Sequence, residues 1–469
     1  MTALALLALA TPFFKIQVVD AGTGRGVPLV ELRTVNNLVF VTDSNGLVAF
    51  NEPGLMDRKV YFHVRSHGYE LPKDGFGYRG VALTPRAGGS ETIRLPRLNI
   101  AERIARLTGS GIYRDSHLLG EKAPKLEERL LGQDTAQAEI YRGRMMWFWG
   151  DTDRASYPLG NFHTTGAVAT IPSGGAENGI RYRYFGDKDG FVREMVSSNE
   201  PGPIWVSGLV VLGKGQDEKL FAYYARMKSL GEISESGLLR WNDGREAFDM
   251  VQKFDKAREW RFLDGHTLRD GAHQLGNLPP NVRVPADEKS LLDESAYEAF
   301  TCLNADGSVG SYRWQKALPP ITPAAEAKLV ADGKLKPEQV HFLPKDAAGE
   351  TITPHGGSVH WNAHRKRWIM IFTRVGGKDS HLGEIYYSEA EAPTGPFRRA
   401  VKIATHDRYT FYNPVHHAFL DEDGGRTIFF EGTYTAEFSG NPEKTPLYNY
   451  NQVLYRLDLD DARLTFARQ

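Results

Sequence analysis

From about residue 130 the chain repeats one unit: a short strand pattern, a turn of Gly or charged residues, a second apolar strand, then a third with aromatics. The copies are plainest at residues 134–141 with 144–150, at 357–362 with 367–373 and 383–388, and at 414–420 with 426–431 and 451–458. Weaker copies fit at 207–225 with 236–242 and at 266–276 with 281–285. A several-strand unit cannot bury its apolar faces alone, and a period of tens of residues points to a propeller more than to a sandwich. Five copies predict an all-β chain with a five-bladed β-propeller over residues 109–469. The uneven spacing reflects long insertions. One of them, before the fourth blade, carries a helix signal in Thr322-Pro323, with Thr at the N-cap and Pro in the first turn.

Residues 15–97 have a different texture. Short strand patterns at 15–19, 28–33, 38–42, 47–51, 60–66 and 92–95 are separated by turn signals such as Gly22-Thr23-Gly24 and Ser44-Asn45-Gly46. The stretches VVDAGTGRGVPLVELRT, TDSNGLVAF and VRSHGYE resemble the carboxypeptidase-regulatory-like, transthyretin-like β-sandwich. The resemblance implies a spacer or packing partner and no chemistry. Residues 98–108 carry apolar side chains at Ile100, Ile104 and Leu107, the spacing of a short amphipathic linker helix. Ahead of the sandwich, residues 2–11 are apolar and lead into Pro12-Phe13-Phe14. That run is too short to span a bilayer. It resembles the apolar core and small-residue end of a secretory signal without the basic n-region, so residues 1–14 read as a signal segment and the protein as secreted or periplasmic.

Composition removes several classes of function. Lys+Arg 57 against Asp+Glu 58 gives a formal charge of -1, so no basic field points to nucleic acid. Hydrophobic residues at 41% and charged residues at 25% are ordinary for a folded globular chain. No other segment is long and apolar enough to cross a membrane. The single cysteine, Cys302, rules out an intrachain disulfide and multi-cysteine metal clusters. Gly174-Gly175 and Gly376-Gly377 lack a phosphate-binding lysine and a following helix, and no Gly-x-Ser-x-Gly elbow occurs. Nothing in the pattern sets an oligomeric state.

Propeller geometry converts the repeat into a site. In each blade the residue opening the first strand and the residue ending the second lie at the same mouth, about 17–20 positions apart for strands of ordinary length. This rule selects Asp134 and Asp151 in blade one, and Ser207 and Arg226 in blade two. It selects His266 and Asn277 in blade three, His355 and Arg374 in blade four, and Asn413 and Glu431 in blade five. Asp134, Asp151 and Glu431 are three acids at one mouth, and glycoside hydrolysis needs two carboxyl groups flanking the scissile bond. Asp151 also fits a plain turn residue in Gly150-Asp151-Thr152-Asp153.

The blade-one stretch GQDTAQAEIYRGRMMWFWGDT resembles that of the five-bladed glycosidase propellers, including glycoside hydrolase family 43. Its ending FWGDT is closer to endo-D-arabinanase-type propellers, in which Asp at both hairpin ends is catalytic. The resemblance implies catalytic roles for Asp134 and Asp151, with their acid/base order open. Two departures stand out: Val206-Ser207-Gly208 occupies the place of a second Asp, and Asn413-Pro414 replaces Asp-Pro. Related propellers often hold calcium at the axis, for which His355 is the best-placed ligand, although hard cations prefer oxygen donors. No cofactor is required by this reading.

The remaining candidates position substrate. His163, His266, His355 and Tyr409 can orient hydroxyls, and of His416 and His417 strand alternation lets at most one face the funnel. Arg226 and Arg374 suit an anionic group or, equally, pair with neighbouring acids. Trp147, Trp149, Trp205, Tyr412 and Tyr434 offer faces for stacking on sugars or simply fill the core. The leading expectation is a glycoside hydrolase acting on an oligo- or polysaccharide. The alternatives are a lyase on uronic-acid glycans, with a Tyr or His base, and a non-catalytic glycan-binding propeller.

Overall fold

The computed structural model describes residues 12–127, 129–254 and 260–468. The N-terminal part contains β1 (Phe14–Asp20), β2 (Glu31–Thr34), β3 (Val39–Val41), β4 (Leu47–Phe50), β5 (Val60–Arg65), β6 (Gly80–Leu83) and β7 (Ser90–Leu95). They form two sheets, β4-β1-β7 and β3-β2-β5-β6. Alternate residues point inward with period two, so Ile16, Val18, Leu32, Phe62, Val64, Ile93 and Leu95 make one core between the sheets. The Ser44-Asn45-Gly46 turn needs its glycine: Gly46 has φ +74, and a Cβ there would sit 2.4 Å from the Val18 carbonyl oxygen. Residues 1–11 of the expected signal segment lie outside the described residues. Phe14, assigned to that segment, instead opens β1 and is buried in its core.

The stretch expected to be a linker helix is a strand, β8 (Glu102–Arg106). Five sheets follow. Blade one is β10 (Gln137–Tyr141), β11 (Arg144–Trp149), β13 (Thr165–Thr170) and β14 (Arg181–Tyr184), entered by a two-residue ladder between β9 (Gly132–Gln133) and β12 (Thr152–Asp153). Blade two is β15 (Ile204–Leu212), β16 (Lys219–Ser229), β17 (Glu232–Asn242) and β18 (Ala247–Lys253). Blade three has five strands, β19 (Leu268–Asp270), β20 (His273–Gly276), β21 (Val282–Pro285), β22 (Glu298–Leu303) and β23 (Val309–Gln315). Blade four is β24 (Pro354–Asn362), β25 (Arg367–Arg374), β26 (Glu384–Ala390) and β27 (Ala400–Thr405). Blade five is β28 (Thr410–His416), β29 (Thr427–Thr435) and β30 (Asn451–Asp458), with β8 as its outer strand.

Because β8 pairs antiparallel with β30, the chain closes its ring with residues from before the first blade. This explains the failed helix reading. All five residues of β8 are buried, so Ile104 and its apolar neighbours Ala101, Ala105 and Leu107 serve two faces at once. Hydrogen bonds from a distant strand outrank the local periodicity.

Alternation within single strands builds the ring. On β11, Trp147 and Trp149 pack with Phe429 and Leu454 of blade five, whereas Met146 and Phe148 pack with Val206 and Leu239 of blade two. Comparable cores join blade two to three around Tyr223 and Val282, three to four around Leu275 and Phe372, and four to five around Ile371 and Phe430. The architecture is therefore an all-β five-bladed propeller with an N-terminal sandwich against it. The insertion helix spans Pro323–Ala331, its N-cap Thr322 accepting from the Ala325 amide.

The sandwich is tied to blade five by Arg103, which is 1% exposed. Its Nε donates to the Pro28 carbonyl at 3.0 Å, and its two terminal nitrogens donate to the His67 carbonyl at 2.8 Å and Ser66 Oγ at 2.5 Å. Arg103→Ala strands these three acceptors out of water, so we expect about 2–4 kcal/mol of destabilisation and a lower thermal midpoint in a melting experiment.

Candidate active site

Asp134 and Asp151 occupy the junctions where the β9–β12 ladder hands over to the β10–β11 hairpin. The strand direction changes there, and the residue after Asp134, Thr135, is held at φ 46. That left-handed value is costly for a β-branched residue and marks stored local strain. Thr135 is clamped from blade five: its amide donates to Thr433 Oγ1 at 2.9 Å, and its hydroxyl oxygen accepts from Asn413 Nδ2 at 3.0 Å.

The two acids are coupled through the backbone. The Asp151 amide donates to Asp134 Oδ1 at 2.8 Å, and the Tyr412 hydroxyl donates to Asp134 Oδ2 at 2.7 Å. The bond from the Asp151 amide holds the two side chains at the same hairpin end. Asp151 Oδ1 accepts from the indole N–H of Trp205 at 3.2 Å. Burial pushes the Asp134 carboxyl up to about 6 against the opposing pull of hydrogen bonds from Tyr412, Tyr450 and the Asp151 amide. Burial, and next the charge of Asp134, push Asp151 up to about 7. The pair thus titrates as a unit around neutrality.

The funnel beside this pair encloses about 660 Å³ and receives residues from all five blades. Asp134 comes from blade one, Trp205 and Ser207 from blade two, His266 and Asn277 from blade three, His355 from blade four and Asn413 from blade five. Ser207, His355 and Asn413 each fall at a register shift near the start of β15, β24 or β28. Bulges at such positions re-aim side chains. Asp151 stands behind Trp205 at the funnel wall.

One acid went unnoticed in the sequence. Asp264 lines the funnel, accepting from the Ser207 hydroxyl at 2.8 Å and the Gly265 amide at 2.9 Å. It lies two residues before His266, on the loop ahead of β19. A ruler that starts at the strand steps past it; the Asp264-Gly265 turn pair was the available signal. His266 faces the funnel with its pKa lowered to about 3 by burial, so it works as a neutral imidazole.

Several expected site residues are elsewhere. Glu431 is wholly buried under blade five, bonded to Trp147 Nε1 at 2.8 Å and His417 Nε2 at 2.7 Å. Its strand continues to Thr435, so the mouth lies beyond it. Arg226 is buried in a pair with Glu235 and bonded to Ser198, and Arg374 is held between Glu350 and Glu384. Of the two readings of these arginines, pairing with neighbouring acids holds. Tyr409 is buried against Tyr434 at 4.1 Å between ring centres, and it lines a groove toward the sandwich instead of the funnel. His163 lies outside the funnel, its Nδ1 accepting from the Ile204 amide at 3.2 Å. The lyase scheme thereby loses its tyrosine base and its arginines. Trp147 and Trp149 are core residues, not stacking faces.

Among the described residues no three His, Cys, Asp or Glu side chains form a group that could hold a metal ion.

No family model matches the chain, and no curated protein matches it. Solved structures do resemble it. A Bacteroides ovatus protein provisionally described as a hydrolase aligns at 12% identity with a TM-score of 0.43, over 71% of this chain and 86% of that one. A GH43_1 enzyme from Xanthomonas citri complexed with xylotriose aligns at 11% identity with a TM-score of 0.36, over 72% and 89% of the two chains. An exo-β-1,3-galactanase from Phanerochaete chrysosporium with β-1,3-galactotriose aligns at 9% identity with a TM-score of 0.38, over 76% and 64%.

Two tests follow from this geometry. Gly150 has no room for a side chain, since a Cβ would sit 2.3 Å from Asp134 Oδ1. Gly150→Ala should therefore displace that carboxyl and lower turnover at least tenfold while the chain stays folded by circular dichroism. The second concerns pH. Both carboxyls titrate higher in the folded chain than the roughly 4 of an unfolded Asp, so the native state holds extra protons between about pH 4 and 7. Their contribution to stability is complete below the unfolded value and declines as pH rises through that window. Asp151→Asn should melt higher than the parent at pH 8 and lose this advantage near pH 4, as read by thermal midpoints.

Proposed function

We propose that the protein is a glycoside hydrolase whose acid pair is Asp134 and Asp151. The observation that carries the reading is the pair itself: two carboxyls at one hairpin end, joined by one amide, Asp134 lining the five-blade funnel and Asp151 bonded to its wall residue Trp205, both pushed above the usual carboxylate range by burial. Asp134 receives donors on both oxygens, which favours its ionised form. Asp151 receives only the longer Trp205 contact, so in this scheme it holds the shared proton. In this scheme Asp151 protonates the glycosidic oxygen as the C–O bond breaks. Asp134 meets the positive charge developing at the anomeric carbon, directly or through the attacking water. Water supplies the hydroxyl to the sugar, and its proton returns the pair to the starting state.

Trp205 offers a stacking face beside the acids, while Ser207, His266, His355, Asn277 and Asn413 supply hydrogen bonds to hydroxyls. An oligo- or polysaccharide is the substrate class, and neighbours crystallised with xylotriose and galactotriose make those compounds reasonable first probes. Export of the protein fits such a role and is part of the same proposal.

A second reading has its own support. Asp264 lines the funnel directly, whereas Asp151 stands behind Trp205, so the working pair would be Asp134 and Asp264. Single Asn variants separate the two. The first reading expects Asp134→Asn and Asp151→Asn each to lower kcat at least a thousandfold, with Asp264→Asn costing about tenfold, mainly in KM. Product release is followed on an oligosaccharide panel. Full activity in Asp151→Asn with collapse in Asp264→Asn moves the acid to blade three. Full activity in Asp134→Asn removes the proposal.

A further inference from the structure

The propeller has a second cavity. About 470 Å³ in volume, it opens toward the far ends of the inner strands, where Ile140 nears the end of β10, Trp361 approaches the end of β24 and His416 ends β28. It shares only Gln137 and His266 with the funnel lining. Its volume lies in the range of small-molecule sites.

Four imidazoles line this cavity, His266, His360, His416 and His417. His416 Nε2 lies 2.8 Å from Asp421 Oδ1, and His417 Nε2 lies 2.7 Å from Glu431 Oε1. A carboxylate oxygen only accepts, so each ring turns an Nε2–H back to its acid and leaves Nδ1 as the nitrogen not used by that bond. His416 is 1% exposed, and its Nδ1 is buried without any partner. Such an atom carries a desolvation cost until a donor reaches it. His360 stands edge-on to His416 at 5.3 Å between ring centres and lines the same space. Burial holds His266 and His360 below the usual imidazole range, so these two rings are neutral and each carries one donor and one acceptor nitrogen. The one guanidinium of the lining, Arg269, is turned to the carbonyls of Gly271 and Ala286, which leaves the cavity suited to hydroxyl groups, since these both donate and accept.

The rim supplies flat apolar faces. Trp361 is 48% exposed and Phe419 37% exposed, and Trp368 lies 5.8 Å from Trp361 in an edge-to-face pair. An exposed tryptophan at a cavity mouth gives a flat apolar face on which a ring can stack. Hydroxyl acceptors inside and aromatic faces at the rim together match a sugar ring, which is apolar on its faces and hydroxylated at its edge.

We propose that this far-face cavity is a second carbohydrate site, separate from the funnel and taking one or two neutral sugar rings. The proposal does not depend on which acids act in the funnel. The test uses the full chain carrying Trp205→Ala, which removes an aromatic face from the funnel. It is titrated with D-glucose, D-galactose, D-xylose and L-arabinose in turn, and line broadening of each sugar's NMR signals is followed. At least one sugar is expected to broaden saturably, and the response to fall at least fivefold when Trp361→Ala is added and again when His416→Ala is used instead. Trp361 is exposed, so its variant keeps the test decisive even where loss of the buried His416 disturbs folding. Silence from all four sugars, or an undiminished response in the Trp361→Ala chain, would overturn the proposal. Saturable binding of zinc chloride without any sugar response would overturn it too, since the imidazoles would then be metal ligands.

Discussion

Blade five meets blade one across a seam whose hydrogen bonds serve two purposes. Tyr412 and Asn413 reach over from β28 to Asp134 and Thr135, Thr433 receives the Thr135 amide, and Gln452 donates to the Gln133 carbonyl. The same contacts shut the ring and set the direction of the Asp134 carboxyl. Packing reinforces them: Trp147 and Trp149 are fully enclosed against Phe429 and Leu454, each burying the large surface of an indole. The strained Thr135 persists because the surrounding seam over-determines it. A propeller whose ends were not fastened would leave this acid without fixed partners.

The site is made at a cost in stability. Asp134 and Asp151 are kept near neutral pKa because burial disfavours their charge, and their mutual repulsion adds to it in Asp151. A fold optimised for stability alone would place amides or apolar groups there. The hydrogen bonds from Tyr412 and the Asp151 amide offset part of the penalty at Asp134, and Asp151 has no equivalent pair of donors. Farther down the same seam Glu431 is also buried, but it faces protein donors on one side, the Trp147 indole N–H and the His417 imidazole, both at Oε1. One seam therefore contains a carboxyl beside the funnel and a carboxyl enclosed in the core, distinguished by what each faces.

Much of this was legible in the residues. The alternating strands and their repetition marked five blades, and the topological rule brought Asp134, Ser207, His266, Asn277, His355 and Asn413 to the funnel as the structure does. The rule failed where strand ends were misjudged. Glu431 lies inside a strand that runs to Thr435, and Arg226 and Arg374 end their strands among acids from neighbouring segments. Asp264 was missed because it precedes its strand by a loop. The linker was misread because a strand buried on both faces lacks the period-two signature, and apolar residues at 100, 104 and 107 mimic a helix.

What the chain alone determined is local: which segments are strands, which turns need glycine, and that two aspartates bracket one hairpin. Those follow from side-chain alternation and backbone sterics within a few residues. Tertiary structure decided the partners. Only ring closure shows that β8 belongs to the last blade, that Tyr412 reaches Asp134 across the seam, and that two histidines adjacent in sequence are both backed by carboxylates. Charge state, burial and hydrogen bonding depend on groups hundreds of residues away along the chain, and local pattern carries no record of them.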